Sequence, residues 1–148
     1  MGKIIPVKSP DVLLIPGVQG LLHRGFAENY LIPSGFDGAV EEFVSFAKDP
    51  KVGFYLATDD GGKFKGFVIV ILPRTALAPY PQVLHIYSEG RAAVAQGLID
   101  AGVAFMRSNG YSKFWALNGS KVSDEVWSRA FRRAGVATPL ASLMEFEL

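Results

Sequence analysis

The sequence predicts an α/β fold of the mixed α+β kind, with a central twisted sheet flanked by helices, and three observations carry that prediction. Residues 52–58 (VGFYLAT) and 64–72 (FKGFVIVIL) are apolar, aromatic and β-branched, and between them Asp59-Asp60-Gly61-Gly62-Lys63 supplies hairpin-turn chemistry. Residues 83–90 (VLHIYSEG) then run as a strand almost without a loop into a helix that opens on RAAVAQGLID. A further strand at 113–118 (KFWALN) is followed by helical spacing over 123–135. An antiparallel hairpin succeeded by strand, helix, strand, helix predicts a mixed sheet with helices on both faces.

Taken in order, Ile4 to Lys8 reads as a short opening strand, closed by Ser9-Pro10, with Asp11 as the N-cap of a helical stretch. Pro16, Gly17, Gly20 and Gly25 interrupt that stretch, which predicts two short helices or one kinked at Pro16. Asp37 caps the next helix, whose apolar stripe is Val40, Phe43, Val44 and Ala47 and which stops before Pro50. The hairpin follows, then the Pro-rich connection PRTALAPYPQ at 73–82. In the helix after the fourth strand, Ala95, Leu98, Ile99, Gly102, Val103 and Met106 fall on one buried face, and Asn109-Gly110 ends it. Ser123 caps a last helix with Val126, Trp127, Ala130, Phe131 and Ala134 on its apolar face, and residues 141–148 form a final strand. Residues 1–148 read as a single domain, without internal repeat or linker.

Composition narrows the functional classes. The 148 residues are 49% hydrophobic and 20% charged, and 15 basic against 14 acidic side chains leave a net charge of +1, so no general field draws in nucleic acid or an anionic membrane. The absence of cysteine excludes disulfides, thiolate metal sites and cysteine nucleophiles. His23 and His85 carry no HExxH-like spacing, so no metal site is expected, and Asp59-Asp60 reads as turn chemistry. The N-terminus lacks a signal-peptide apolar core, and no stretch approaches the roughly 18 apolar residues of a membrane span. These features fit a soluble, cytoplasmic protein.

The strand–helix junction at Val83–Asp100 is where chemistry is expected. A helix start points unpaired N–H groups and a positive dipole end outward, and small residues there let a phosphate approach the backbone. The alternative is a helix start kept small for packing on the sheet. On the strand, alternation puts Val83, His85 and Tyr87 on one face and Leu84, Ile86 and Ser88 on the other, with Glu89 at the strand end. His85 titrates nearest neutrality and suits a general base, and Glu89 and Tyr87 are the other candidates. Each has a plainer alternative: a hydrogen-bonded core histidine, a solvated carboxylate, a tyrosine packed on the sheet. Tyr80, between two prolines, either lines an acceptor pocket or stiffens its loop, and His23 and Arg24 read as exposed polar residues. Arg129, Arg132 and Arg133 read as a solvated helix end with dipole-favourable cations, the alternative being contact with a phosphate or a partner.

The element order and these residues resemble the GCN5-related N-acetyltransferases over nearly the whole chain. That family's loop before the third helix reads Gln/Arg-x-x-Gly-x-Gly/Ala; here the matching run is Gly90-Arg91-Ala92-Ala93-Val94-Ala95, and a helix reading AFRRAGV at 130–136 matches the family's terminal motif. The resemblance implies a three-layer fold and acetyl-CoA-dependent N-acyl transfer to the amine of a small molecule or a protein. It implies cofactor contacts at Tyr87, Ser88, Gly90, Arg91, Ala92, Ala93, Val94, Ala95 and Asn118, and it puts His23 and Arg24 in the region that walls the acceptor site, the alternative to their reading as exposed polar residues. Two positions depart from the pattern. Ala93 replaces a glycine, which leaves open whether its methyl group crowds the phosphates or its backbone must take an angle alanine resists, with Arg91 a substitute phosphate ligand. The family's tyrosine acid falls on Phe131, which has no hydroxyl. A second, shorter similarity, through Val7-Lys8-Ser9-Pro10-Asp11, Asn118 and the FRRAGV run, is to internal virion proteins of short-tailed phages. It implies a non-catalytic assembly protein of the same fold, located in the virion with other virion proteins as partners.

Overall fold

A computed structural model describes residues 2–27, 35–77, 79–116, 129, 131–132 and 147 of the chain. The expected helix over 123–135 and strand over 141–148 lie outside these residues, apart from isolated positions, and so does Asn118. The described elements are β1 (Ile4–Pro6), a 3-10 turn (Pro10–Leu14), α1 (Val18–Ala27), α2 (Gly35–Lys48), β2 (Val52–Thr58), β3 (Phe64–Ile71), β4 (Gln82–Ser88), α3 (Ala92–Ser108) and β5 (Trp115–Ala116).

The five strands form one sheet in the order β1-β2-β3-β4-β5, antiparallel from β1 to β4 and parallel between β4 and β5. The hairpin turn works as its residues dictate: Asp59 accepts the N–H groups of Gly61 and Lys63 at 2.9 and 3.0 Å on one carboxylate oxygen, and Gly62 takes φ +81°. The prolines and glycines before Tyr30 divide the helical stretch as expected, into the 3-10 turn and α1, with Gly17 at φ +91° between them. Ser9, not Asp11, is the cap: its backbone is extended and its Oγ accepts the Asp11 N–H at 3.3 Å, while Pro10 takes the first helical position where no N–H is required. Asp37 likewise falls inside the first turn of α2 instead of capping it, where its charge still suits the helix dipole.

Sheet alternation sends Phe54, Leu56, Phe67 and Ile69 to one face, where they pack under α1 and α2 with Leu21, Leu22 and Phe43. Ala57, Val68, Val70 and Val83 go to the other face, under Leu98, Ile99, Val103 and Met106 of α3. The molecule is thus three layers, with the α3 face buried from Leu98 to Met106 as its periodicity predicts and Ala95, at its start, half-buried. On α2 the stripe differs by one position: Ala39, Phe43 and Ala47 are buried and Val40 is 39% exposed. Phe131 is buried against the α3 side, its ring 5.8 Å from that of Phe114.

One irregularity positions the site. Ile69 pairs with His85 and Val70 with Val83, so Leu84 has no partner and β4 carries a bulge immediately after its last described pair with β5. The extra residue breaks the simple alternation. Val83 faces α3, whereas Leu84 and Tyr87 pack on the α1–α2 side and the His85 ring lies 4.8 Å from that of Phe67. The expected face of Val83, His85 and Tyr87 is therefore corrected to Leu84, His85 and Tyr87.

Candidate functional site

The end of β4, the start of α3 and the last turn of α1 meet at one place. Glu89 stands just past β4, with its backbone N–H donated to the Lys65 carbonyl at 2.7 Å, so the main chain fixes it as firmly as a strand residue. Its carboxylate receives three donors. The Tyr87 hydroxyl donates to Oε2 at 2.6 Å, Arg24 Nε donates to Oε2 at 2.6 Å, and an Arg24 terminal nitrogen donates to Oε1 at 3.0 Å. The Arg24 contact is a bidentate fork on a carboxylate, the geometry for which guanidinium is suited.

These bonds set the protonation states. Hydrogen bonding from Arg24 holds the Glu89 carboxyl below its ordinary range, against partial burial and with help from Tyr87. Burial, then the adjoining Glu89 carboxylate, pushes the Tyr87 hydroxyl up to about 12, so it keeps its proton and donates it to Glu89. His85 is 5% exposed, lies against Phe67 and hydrogen-bonds the Gly25 backbone; burial brings it down to about 4, so it is neutral at physiological pH. The sheet therefore places His85 beneath α1, and Tyr87 and Glu89 at the opening.

Gly25 explains why α1 reaches this site. A Cβ there would stand 2.6 Å from Cζ of Phe67 and 3.1 Å from the Tyr87 ring, so only glycine lets the helix lie this close to β3 and β4. The next residue back is Arg24, which that close approach delivers to Glu89. The residues alone read Arg24 as exposed and polar, and only the family resemblance puts it near the acceptor site; the local signal is the Arg-Gly pair itself, a cation beside a close-approach glycine.

After Glu89, Gly90 turns the chain at φ +85° with open space where a side chain would be, and α3 begins at Ala92. Arg91 is the N-cap, makes no side-chain capping bond, and no acidic residue occupies the first turn. Among the described residues, the Val94 N–H donates to the Arg91 carbonyl at 3.0 Å and no side chain caps the N–H groups before it, at the positive end of the dipole. Arg91, Ala92 and Ala93 are exposed, Val94 and Ala95 half-buried, and Ser88 exposed beside them. Among the described residues no non-glycine has a positive φ, so Ala93 adopts ordinary helical backbone and the angle that alanine resists is not required.

Other expected positions lie elsewhere. Tyr80 packs edge-on against Trp115, ring centroids 5.8 Å apart, at the start of β4 and so at the opposite end from Glu89. An apolar groove among the 3-10 turn, α1 and α2, lined by Leu13, Leu14, Leu22, Val40, Phe43 and Asp11, offers one carboxylate and no other group suited to transfer chemistry. Among the described residues no cluster of His, Asp and Glu could hold a metal, and no helix is long and apolar enough to cross a membrane.

This arrangement of sheet, helices and strand–helix junction is the fold of the GCN5-related N-acetyltransferases. The structure is similar to the aminoglycoside 6'-N-acetyltransferase AAC(6')-Ih from Acinetobacter baumannii, with a TM-score of 0.70 and 13% identity over 100% of this chain and 99% of that one. It is similar to AAC(6')-Iy in complex with a bisubstrate analogue of CoA and acetylneamine, with a TM-score of 0.72 and 12% identity over 100% and 99% of the two chains. A ribosomal-protein-alanine N-acetyltransferase from Brucella melitensis gives a TM-score of 0.62 and 19% identity over 99% and 100%. No family model and no curated protein matches the sequence. The neighbours named here are acetyltransferases, and none carries the expected similarity to phage virion proteins.

Proposed function

We propose that the chain is an acetyl-CoA-dependent N-acyltransferase acting on an amine. The observation that carries this reading is the juxtaposition of an ionised, positioned carboxylate, Glu89, with the uncapped N-terminus of α3 only three residues further on. A few residues of chain span at most about 10 Å, so a base and an anion-binding helix end address one small volume.

The helix start fits the cofactor's phosphates. It has no acidic residue in its first turn, Gly90 leaves open space, and Ala93 adds only a methyl group on an exposed, unstrained backbone. Main-chain N–H groups from Gly90 to Ala93 would hold the pyrophosphate, with the Arg91 guanidinium beside them and Tyr87 and Ser88 along the adjoining strand end. Val94 and Ala95 complete the first turn; Asn118 is a proposed contact from outside the described residues. When bound, acetyl-CoA supplies an acyl group activated as a thioester. The chain's own tasks are to orient the acceptor and to take its proton. Glu89 serves as the base, and Tyr87 holds it by hydrogen bond. Tyr87 is held near 12 and hydrogen-bonded to Glu89, and Phe131 has no hydroxyl, so neither is suited to supply the thiol's proton, which would come from solvent. His85 is a positioning residue, which holds α1 through Gly25.

The similar structures are an aminoglycoside 6'-N-acetyltransferase and a ribosomal-protein-alanine N-acetyltransferase, and N-acetylation in both names supports an amine acceptor here. A thiol-release assay on acetyl-CoA with an aminoglycoside, an alanine-initiated peptide and a simple polyamine tests the reading. Wild type is expected to turn over at least one of them, and Glu89→Gln to lower kcat/KM by roughly 100-fold, the share a general base supplies. Equal rates in wild type and Glu89→Gln refute the assignment of the base.

A further inference from the structure

We propose that Arg24 occupies, in the free protein, the place the acceptor's ammonium takes on Glu89, so that the acceptor is recognised as a cation by exchange with an internal guanidinium. This rests on the reading of Glu89 as the acceptor-facing carboxylate. Arg24 takes both carboxylate oxygens, at 2.6 and 3.0 Å, and Tyr87 takes a further lone pair of Oε2. Among the described residues these donors leave one acceptor site, on Oε1, so a second cation takes both oxygens of this carboxylate only by displacing a donor.

The two donors are not equally displaceable. Tyr87 lies in β4, two residues from Glu89, and Glu89 itself is tied to Lys65 through the main chain. Arg24 reaches across from the last turn of α1 on a long flexible side chain that is 50% exposed, against 23% for Glu89. An ion pair with a half-exposed guanidinium contributes little net stability, because water solvates the departing Arg24 well. Arg24 is therefore the member that leaves, and Tyr87 keeps the carboxylate in place while it does. A primary ammonium, a compact charge with three donors, replaces the guanidinium with no change in net charge.

The exchange also arms the base. The Arg24 hydrogen bond is the chief influence holding the Glu89 carboxyl down, and burial opposes it, so loss of Arg24 raises its proton affinity. An N–H bond of the bound ammonium then breaks and an O–H bond forms on Glu89, leaving a neutral amine beside a neutral carboxyl.

Spermidine, titrated calorimetrically into the cofactor-free protein, tests this, with the Arg24 Nε–H signal followed by NMR. Wild type is expected to bind it with loss of the hydrogen-bonded Arg24 signal, Arg24→Gln to bind it roughly fivefold or more tighter, and Glu89→Gln not to bind it. Arg24→Lys keeps the charge without the fork and should fall between wild type and Arg24→Gln, which preserves the test if Arg24→Gln does not fold. Affinity in both Arg24 variants equal to or weaker than wild type overturns the proposal. Acetyl-CoA is absent throughout, so failure here leaves the cofactor reading standing, and failure of acetyl-CoA to bind leaves this result standing.

Discussion

Glu89 is ionised because its neighbours prefer it so, and that preference has a measurable direction. The Tyr87 hydroxyl contributes to lowering the Glu89 carboxyl. Tyr87→Phe removes that contribution, so the acid limb of the kcat/KM profile is expected to move to higher pH, with the ring still packed on Phe67 and stability lowered by about 1 kcal/mol. An unmoved limb would show that a different group titrates. His85 gives the second residue-scale prediction. It is neutral in the fold down to about pH 4, whereas the unfolded side chain protonates near 6.5, so the unfolded state binds the extra proton within that window. Stability should therefore fall as pH drops from 6.5 towards 4, by on the order of 3 kcal/mol from this group. Urea midpoints at pH 8 and pH 5 check it: His85→Leu should lose much of the pH dependence, and an equally steep fall in that variant would place its source elsewhere.

At the scale of elements, α1 is held on the sheet by one close approach. In an exposed helix Gly→Ala stabilises by up to about 1 kcal/mol. At Gly25 the added Cβ would stand 2.6 Å from Phe67 Cζ and 3.1 Å from the Tyr87 ring, both in the packed layer, so the clash outweighs the propensity gain. Gly25→Ala is expected to destabilise by about 1–3 kcal/mol and to loosen the Arg24–Glu89 fork, seen as loss of the bonded Arg24 Nε–H signal. A stabilised variant with that signal intact would contradict the account of α1. The same element shows what sequence could and could not convey. Pro16, Gly17 and the later glycines announced that the helical stretch divides, because proline and glycine act on their own backbone. That Gly25 lets Arg24 reach Glu89, across 65 residues of chain, is set by tertiary packing, and the Arg24-Gly25 pair is its one local mark.

The bulge on β4 makes a similar point. Strands with turn chemistry between them, such as β2 and β3, were legible to within a residue because side-chain periodicity and Asp59-Asp60-Gly61-Gly62 agree. In β4 the unpaired Leu84 moved Val83 to the α3 face, since one extra residue turns the alternation over. His85, Tyr87 and Glu89 were nonetheless found, because residues on and just beyond a strand that runs into a helix stay close whatever their faces.

For the whole molecule, three layers around one mixed sheet bring a carboxylate and a bare helix end to the same place, and the proposed chemistry follows from that meeting. Periodicity fixed α3 and its buried face; the small residues of its first turn marked the place where an anion can approach. The central claim is that this helix end holds acetyl-CoA. Calorimetric titration with acetyl-CoA tests it most directly, in wild type and in Ala93→Glu. A glutamate in the first turn favours the helix dipole and so leaves the fold at least as stable, while it places negative charge where the phosphates sit. Micromolar binding by wild type that weakens as salt is raised and is lost in Ala93→Glu is the predicted result; absence of heat at millimolar acetyl-CoA, or equal binding by both proteins, would contradict the account.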